Sequence, residues 1–210
     1  MSKRATTIAN VRMLLSQERH DLATLLGSLS ESDWEIESLC AGWRIRDVVA
    51  HLLNETTSLA HYAYETVRVG GSTAKFNELY IRRGSSLSTA QLVERFESTI
   101  DRGVGYTFAP TIALADLLIH HQDIRRPLGR PRDIPVERLS MVLRHPDPFI
   151  RPGRRMRGLR FVATDIAYTH GDGPEVRGPG EAIIMAIAGR AAALEQLDGP
   201  GVAILRDRQG

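Results

Sequence analysis

The sequence holds a single cysteine, Cys40, in 210 residues. No internal disulfide is possible, so packing alone must hold the fold, and a reducing, cytoplasmic setting is the expectation. Long apolar runs are missing as well. None approaches the ~20 residues that a bilayer-spanning helix needs, so no membrane role is expected. The first residues, MSKRATTIANVRMLL, lack the apolar core and small-residue cleavage site of a signal peptide. Net charge is scarce: +2, with a sequence pI near 8.9. That balance gives no electrostatic ground for nucleic acid as a partner, and no helix-turn-helix is recognisable. There is no Gly-x-Ser-x-Gly elbow, no phosphate-cradling glycine loop and no defensible Cys/His pair, which leaves the chain without an evident nucleophile of its own.

What is present is an ordinary globular balance, 42% hydrophobic and 25% charged, without repeats or low-complexity tracts. From Thr7 to Leu29, Ile8, Val11, Leu14, Leu15, Leu22, Leu25 and Leu26 recur at three- and four-residue steps and share one helical face. A second helix is predicted from about Ile45 to Val69, ended by Gly70-Gly71, with GSTAKFNELYIRRGSS as a following loop that holds at most a short turn of helix. Ser88 with Gln91 reads as a capping box opening a third helix, Thr89 to about Asp101. A fourth spans Pro110 to about Arg126 and is stopped by Pro127 and Gly129. Such stripes bury best against one another, so a four-helix bundle is expected over residues 1–145, with PVERLSMVLRH as a short fifth helix. HPDPFIRPGRRMRG reads as a linker. Residues 146–210 then read as a small α+β domain: strands in LRFVATDIAYTH and EVRG, a helix in PGEAIIMAIAGRAAALEQL, and GVAILRD as a closing strand.

The chemistry-bearing stretch is LADLLIHHQDIRRPLG. Successive helical residues turn by about 100°, so residues four apart lie about 40° apart. Asp116 and His120 therefore share a face, Asp123 returns to it, and His121 is turned away. Two ligands do not make a catalytic zinc site, which takes three protein ligands and an open position. His51, in GWRIRDVVAHLL, points to the core side of the second helix and offers the third. The bland alternatives stand beside this. An Asp/His pair at this spacing arises by chance, and His51 alone reads as a hydrogen-bonded core histidine. Asp123 either orients His120 or pairs with Arg126. Trp43 either lines a pocket or plugs the core, Cys40 reads as a small hydrophobe or else a reactive thiol, and RRPLGRPR reads as a solvated basic loop or a carboxylate attractor.

CAGWRIRDVVAHLL, LADLLIHHQDIRRPLG and THGDGPEVRGPGEAIIMAIAGRAAAL together resemble the mycothiol-dependent maleylpyruvate isomerase-like family. The resemblance implies an α+β chain: a DinB-type four-helix bundle followed by a small α+β domain. It implies a divalent metal, most often zinc, held by His51, Asp116 and His120, and mycothiol as a small-molecule thiol cofactor acting on an electrophilic substrate. Thiol addition and elimination would isomerise an activated double bond, and attack on an electrophile would transfer the thiol. The family pattern usually has Glu where this chain has Asp116, and a Thr or Ser cap where it has Arg44. A non-catalytic small-ligand-binding protein on the same scaffold, metal-free or not, is the competing expectation. Substrate and oligomeric state stay open, a homodimer among the options.

Overall fold

The computed structural model describes residues 3–209. Contacts divide the chain into two compact units, Met1–Pro131 and Arg132–Gly210. The first is helical: α1 Lys3–Gly27, α2 Glu31–Trp34, α3 Ile45–Leu52, α4 Leu59–Arg68, α5 Thr73–Gly84, α6 Thr89–Glu97, α7 Val104–Phe108 and α8 Pro110–Arg125. Helices α1, α3, α6 and α8 close a ring in which α1 and α3 each touch both α6 and α8. The α1 stripe read from the sequence is buried from Val11 to Leu26, while Ile8 stays partly exposed. Leu15, Leu22, Trp34, Leu92, Leu114 and Leu118 are fully buried, each aliphatic one contributing about 1.5–3 kcal/mol. The fold is a mostly helical N-terminal bundle followed by a small mixed α+β region.

The single second helix expected over 45–69 is interrupted. After Leu52 the chain tightens into a 3-10 turn, Leu53–Thr56, and restarts at Ser58, whose hydroxyl accepts from His61 N at the start of α4. The break serves Glu55. Its carboxylate accepts from Gly105 N at 2.9 Å and pairs with the buried Arg19 at 2.9 Å. An anion at the start of α7 and beside a buried guanidinium is well placed electrostatically. The expected loop after Gly71 is helix α5, capped by Ser72. Phe76, Tyr80 and Gly84 follow at four-residue steps and are buried, with α5 packed on α3. Gly84 permits that packing, because a Cβ there would collide with Ala50. The capping box of α6 forms as the spacing predicts, Ser88 Oγ accepting from Gln91 N and Gln91 Oε1 from Ser88 N.

The second unit contains α9 Val136–Arg144, α10 Pro152–Met156, β1 Arg160–Ala163, β2 Thr169–His170, β3 Glu175–Gly178, α11 Gly180–Ile187 and α12 Gly201–Asp207. Its sheet runs β2-β1-β3. β1 pairs antiparallel with β2, Phe161 opposite His170, and parallel with β3, Phe161 opposite Val176. The division after Pro131 lies upstream of the expected 145/146 boundary. Helix α9 packs on α11, where a Cβ on Gly180 would meet Leu139 and Leu143. Two expectations need correction here. The closing segment GVAILRD is helix α12, not a strand: Gly201 lies against the Pro174 carbonyl and Val176, and Leu205, four residues on, is buried. The expected linker also contains α10 and a 3-10 turn at Pro148–Ile150. No helix among the described residues is long and apolar enough to cross a membrane.

Candidate metal centre

Helix α3 carries His51 in its last turn, three residues after the fully buried Val48. Helix α8 carries Asp116 and His120 one turn apart. Because α3 and α8 pack together, the three side chains converge. One Asp116 oxygen is 3.3 Å from His120 Nε2 and the other is 3.8 Å from His51 Nε2. The two imidazoles meet edge to face with centroids 4.9 Å apart. Both histidines are buried, whereas the Asp116 side chain keeps 32% of its surface exposed. The group therefore has one face toward solvent.

The donor set fits a divalent cation. Ligand atoms about 2.0–2.1 Å from a tetrahedral zinc lie roughly 3.3–3.4 Å from one another. The Asp116–His120 separation of 3.3 Å matches that edge, and His51, at 3.8 Å from the second Asp116 oxygen, keeps all three donors within 4.8 Å of one another. The shorter aspartate still spans both imidazoles, because its two oxygens each face one ring. Burial by itself would raise the Asp116 pKa, but the adjacent His120 and His51 outweigh it and hold the carboxyl well below the usual carboxylate range. Burial would conversely lower His120, and Asp116, Asp123 and Cys40 overcome it and raise its pKa well above the ordinary imidazole value.

Behind His120 stands Asp123, fully buried, with Oδ2 accepting from His120 Nδ1 at 3.0 Å. That bond puts a ring proton on Nδ1 and turns Nε2 toward Asp116. It is the carboxylate–histidine arrangement that orients metal-binding imidazoles. Cys40 Sγ donates to the same Asp123 oxygen at 3.0 Å and lies 3.5 Å from His120 Nδ1. Cys40, His120 and Asp123 thus form a second group of donor atoms sharing His120. In that group the sulfur and both side chains already satisfy one another. The Nε2 side, with its partly exposed carboxylate, has the open edge that a ligand needs.

Cys40 and Trp43 both stand at His120, a position that no local spacing in the chain signals. Both come from the irregular segment between α2 and α3, which is pinned to α8 by Leu39 N donating to Asp123 O at 3.2 Å and closed by Glu37 bridging Arg44. Trp43 stands beside both imidazoles, its ring 5.5 Å from His51 and 6.3 Å from His120. Arg44, lacking a hydroxyl, starts α3 differently: its backbone N–H and Nε both donate to Asp47 Oδ2. His121 is turned away, as the helical spacing requires, and is buried against Glu18 and Arg125. The basic cluster after α8 is tied down in part, with Arg130 pairing with Asp33 at 3.2 Å.

Comparison with known proteins matches residues 15–105 to the family model described as the mycothiol maleylpyruvate isomerase N-terminal domain. That match includes His51 and stops before Asp116. Two crystal structures share the fold. One is the mycothiol-dependent maleylpyruvate isomerase, at 16% identity over 92% of each chain with a TM-score of 0.64. The other is a histidine-to-alanine mutant of a mycothiol-dependent maleylpyruvate isomerase, at 16% identity over 92% of each chain with a TM-score of 0.63. No curated protein matches the chain.

Proposed function

We propose that this chain is a metal-dependent enzyme that uses a low-molecular-weight thiol, mycothiol, to isomerise a small electrophilic substrate or to transfer the thiol to it. The observation that carries the reading is the convergence of His51 Nε2, the Asp116 carboxylate and His120 Nε2 at the solvent-facing edge of α3 and α8. The fold shared with mycothiol-dependent maleylpyruvate isomerase and the match over residues 15–105 support it.

In this reading His51, Asp116 and His120 are the three protein ligands. A bound divalent cation such as zinc supplies a Lewis acid that lowers the pKa of a coordinated thiol. The protein residues do the rest. Asp123 fixes the His120 ring by accepting its Nδ1 proton, so that Nε2 presents its lone pair. Trp43 gives the two imidazoles an aromatic neighbour. Cys40 is engaged with Asp123 and is not offered as the nucleophile. The nucleophile must then be brought in, which fits a thiol cofactor. Addition of a thiolate to an activated double bond and its later elimination returns the thiol unchanged and the alkene isomerised, so atoms balance without an oxidant.

The test has two stages. Purified protein is equilibrated with zinc, stripped of loose metal and analysed for metal per chain, beside His51→Ala and His120→Ala. One metal per wild-type chain and strong loss in both variants is expected. The loaded protein is then given mycothiol and maleylpyruvate. Thiol-dependent turnover supports the reading. Saturable binding of the thiol without turnover on any electrophile would move the chain to the small-ligand-binding class, and a metal-free wild type would remove the centre of the proposal.

A further inference from the structure

The segment Arg151–Arg160, RPGRRMRGLR, carries arginine at 151, 154, 155, 157 and 160 and no acid. The fold gathers part of this charge in the second unit. Arg154 and Arg157, from and just after α10, and Arg208, just after α12, line a cleft of about 430 Å³. Arg208 is anchored rather than loose: its Nη1 donates to the Arg155 carbonyl at 3.1 Å and the Arg157 carbonyl at 2.7 Å. Those bonds use one nitrogen and leave Nε and Nη2 for another acceptor. Among the described residues no carboxylate pairs with Arg157 or Arg208.

Arg155 adds to the crowding. It donates through Nη1 to Ile150 O, and its Nε is buried without a partner. Burial first, and then the charges of Arg154 and Arg190, lower its pKa. Capping of α10 explains Arg208 but does not explain why Arg154 and Arg157 share its cleft. Like charges held together by backbone bonds raise the local potential and favour an anion.

We propose that this cleft binds a phosphate group, free or carried by a small molecule, through Arg157 and Arg208, with Arg154 in its wall. The Arg157 fork together with Nε and Nη2 of Arg208 already offers more N–H donors than the two oxygens of one carboxylate accept. A phosphate dianion matches them better in charge and in oxygen count. The site rests only on second-unit residues and is independent of the metal reading.

The experiment is calorimetric titration of the full-length protein at low salt with inorganic phosphate, glycerol phosphate and succinate. Wild type is compared with Arg157→Ala and Arg157→Lys, each checked for an unchanged melting temperature. Arg157 is chosen because its side chain caps nothing, whereas Arg208→Ala also releases two carbonyls. One phosphate-bearing ligand per chain is expected, weakened about tenfold or more in Arg157→Ala and partly restored in Arg157→Lys. Tighter binding of glycerol phosphate than of inorganic phosphate assigns an organic phosphate, and the reverse order assigns the free ion. Succinate binding as tightly as either, affinity unchanged in Arg157→Ala, or no saturable binding of phosphate or glycerol phosphate would each overturn the proposal.

Discussion

His120 and His121 are neighbours in the chain, both buried, on two faces of the same helix. On one face His120 donates its Nδ1–H to Asp123 and aims Nε2 at Asp116, whose carboxylate is partly open to solvent. On the other, both nitrogens of His121 are consumed. Arg125 Nε can only donate, so His121 Nε2 accepts from it at 2.8 Å, and the ring proton sits on Nδ1, shared with Glu18 at 2.8 Å. Glu18 and His121 are both fully inaccessible. One face is a chain of bonds with an open end; the other is closed. Residue type did not decide this difference. It follows from the partner that α1 supplies to one face, Glu18, and the partners that α3 and the α2–α3 segment supply to the other.

The contrast breaks most sharply at the metal. Removing one of three ligands in His51→Ala or His120→Ala should cost roughly two orders of magnitude or more in zinc affinity. His121→Ala should keep its metal if the chain folds, and parallel elemental analysis of the three variants reads this directly. The closed face should instead answer in stability. Glu18→Ala removes the acceptor of a fully buried imidazole proton and should cost about 1–3 kcal/mol in urea unfolding, with the metal content per folded chain unchanged. Glu18→Gln keeps a polar partner and should cost less, about 1 kcal/mol.

A smaller effect sharpens the open face. Asp123→Asn retains the shape but weakens the hold on His120 Nδ1, and a 10–100-fold loss of metal affinity is expected, measured by competition with a chromophoric chelator. An unchanged affinity would show that Asp123 orients nothing. The smallest effect concerns a third buried carboxylate, Glu65, bonded by Tyr80 at 2.6 Å, His61 at 2.8 Å and Arg83. Burial would raise its pKa from the ordinary 4.5, but Arg83 and Tyr80 outweigh that and lower it. A carboxyl depressed on folding stabilises the protein fully above its unfolded value. That contribution is lost as pH falls through the folded value. Stability should therefore decline with acid below about pH 4.5. In Glu65→Gln that part of the slope should flatten in melting-temperature scans from pH 6 to 3, set against wild type.

Much of the site is legible in the order of the residues. A period of 3.6 puts Asp116, His120 and Asp123 on one face and excludes His121 from it, whatever the surroundings. The burial of His51 follows from its apolar neighbours. The α1 stripe, the Ser88–Gln91 box and the proline that opens α8 are equally local signals. The misreadings share a cause. Segment 45–69 has helical periodicity throughout, yet Glu55 is drawn out of it by Arg19 and the α7 backbone. GVAILRD is as β-prone as it is helical by composition, and its contacts with Pro174 and Val176 decide for helix. Gly84, in a stretch read as loop, lies within a helix because Ala50 of α3 allows nothing larger beside it.

Which side chains share a helix face, where helices start and that no internal disulfide holds the fold can be read from residue order, because these depend on residues within a turn or on composition. Helix packing brought Cys40 and Trp43 to His120 and closed His121 with Glu18. It also gathered Arg154, Arg157 and Arg208 around one cleft. Those meetings join residues far apart in the chain, and their positions follow from how the helices pack rather than from any local period.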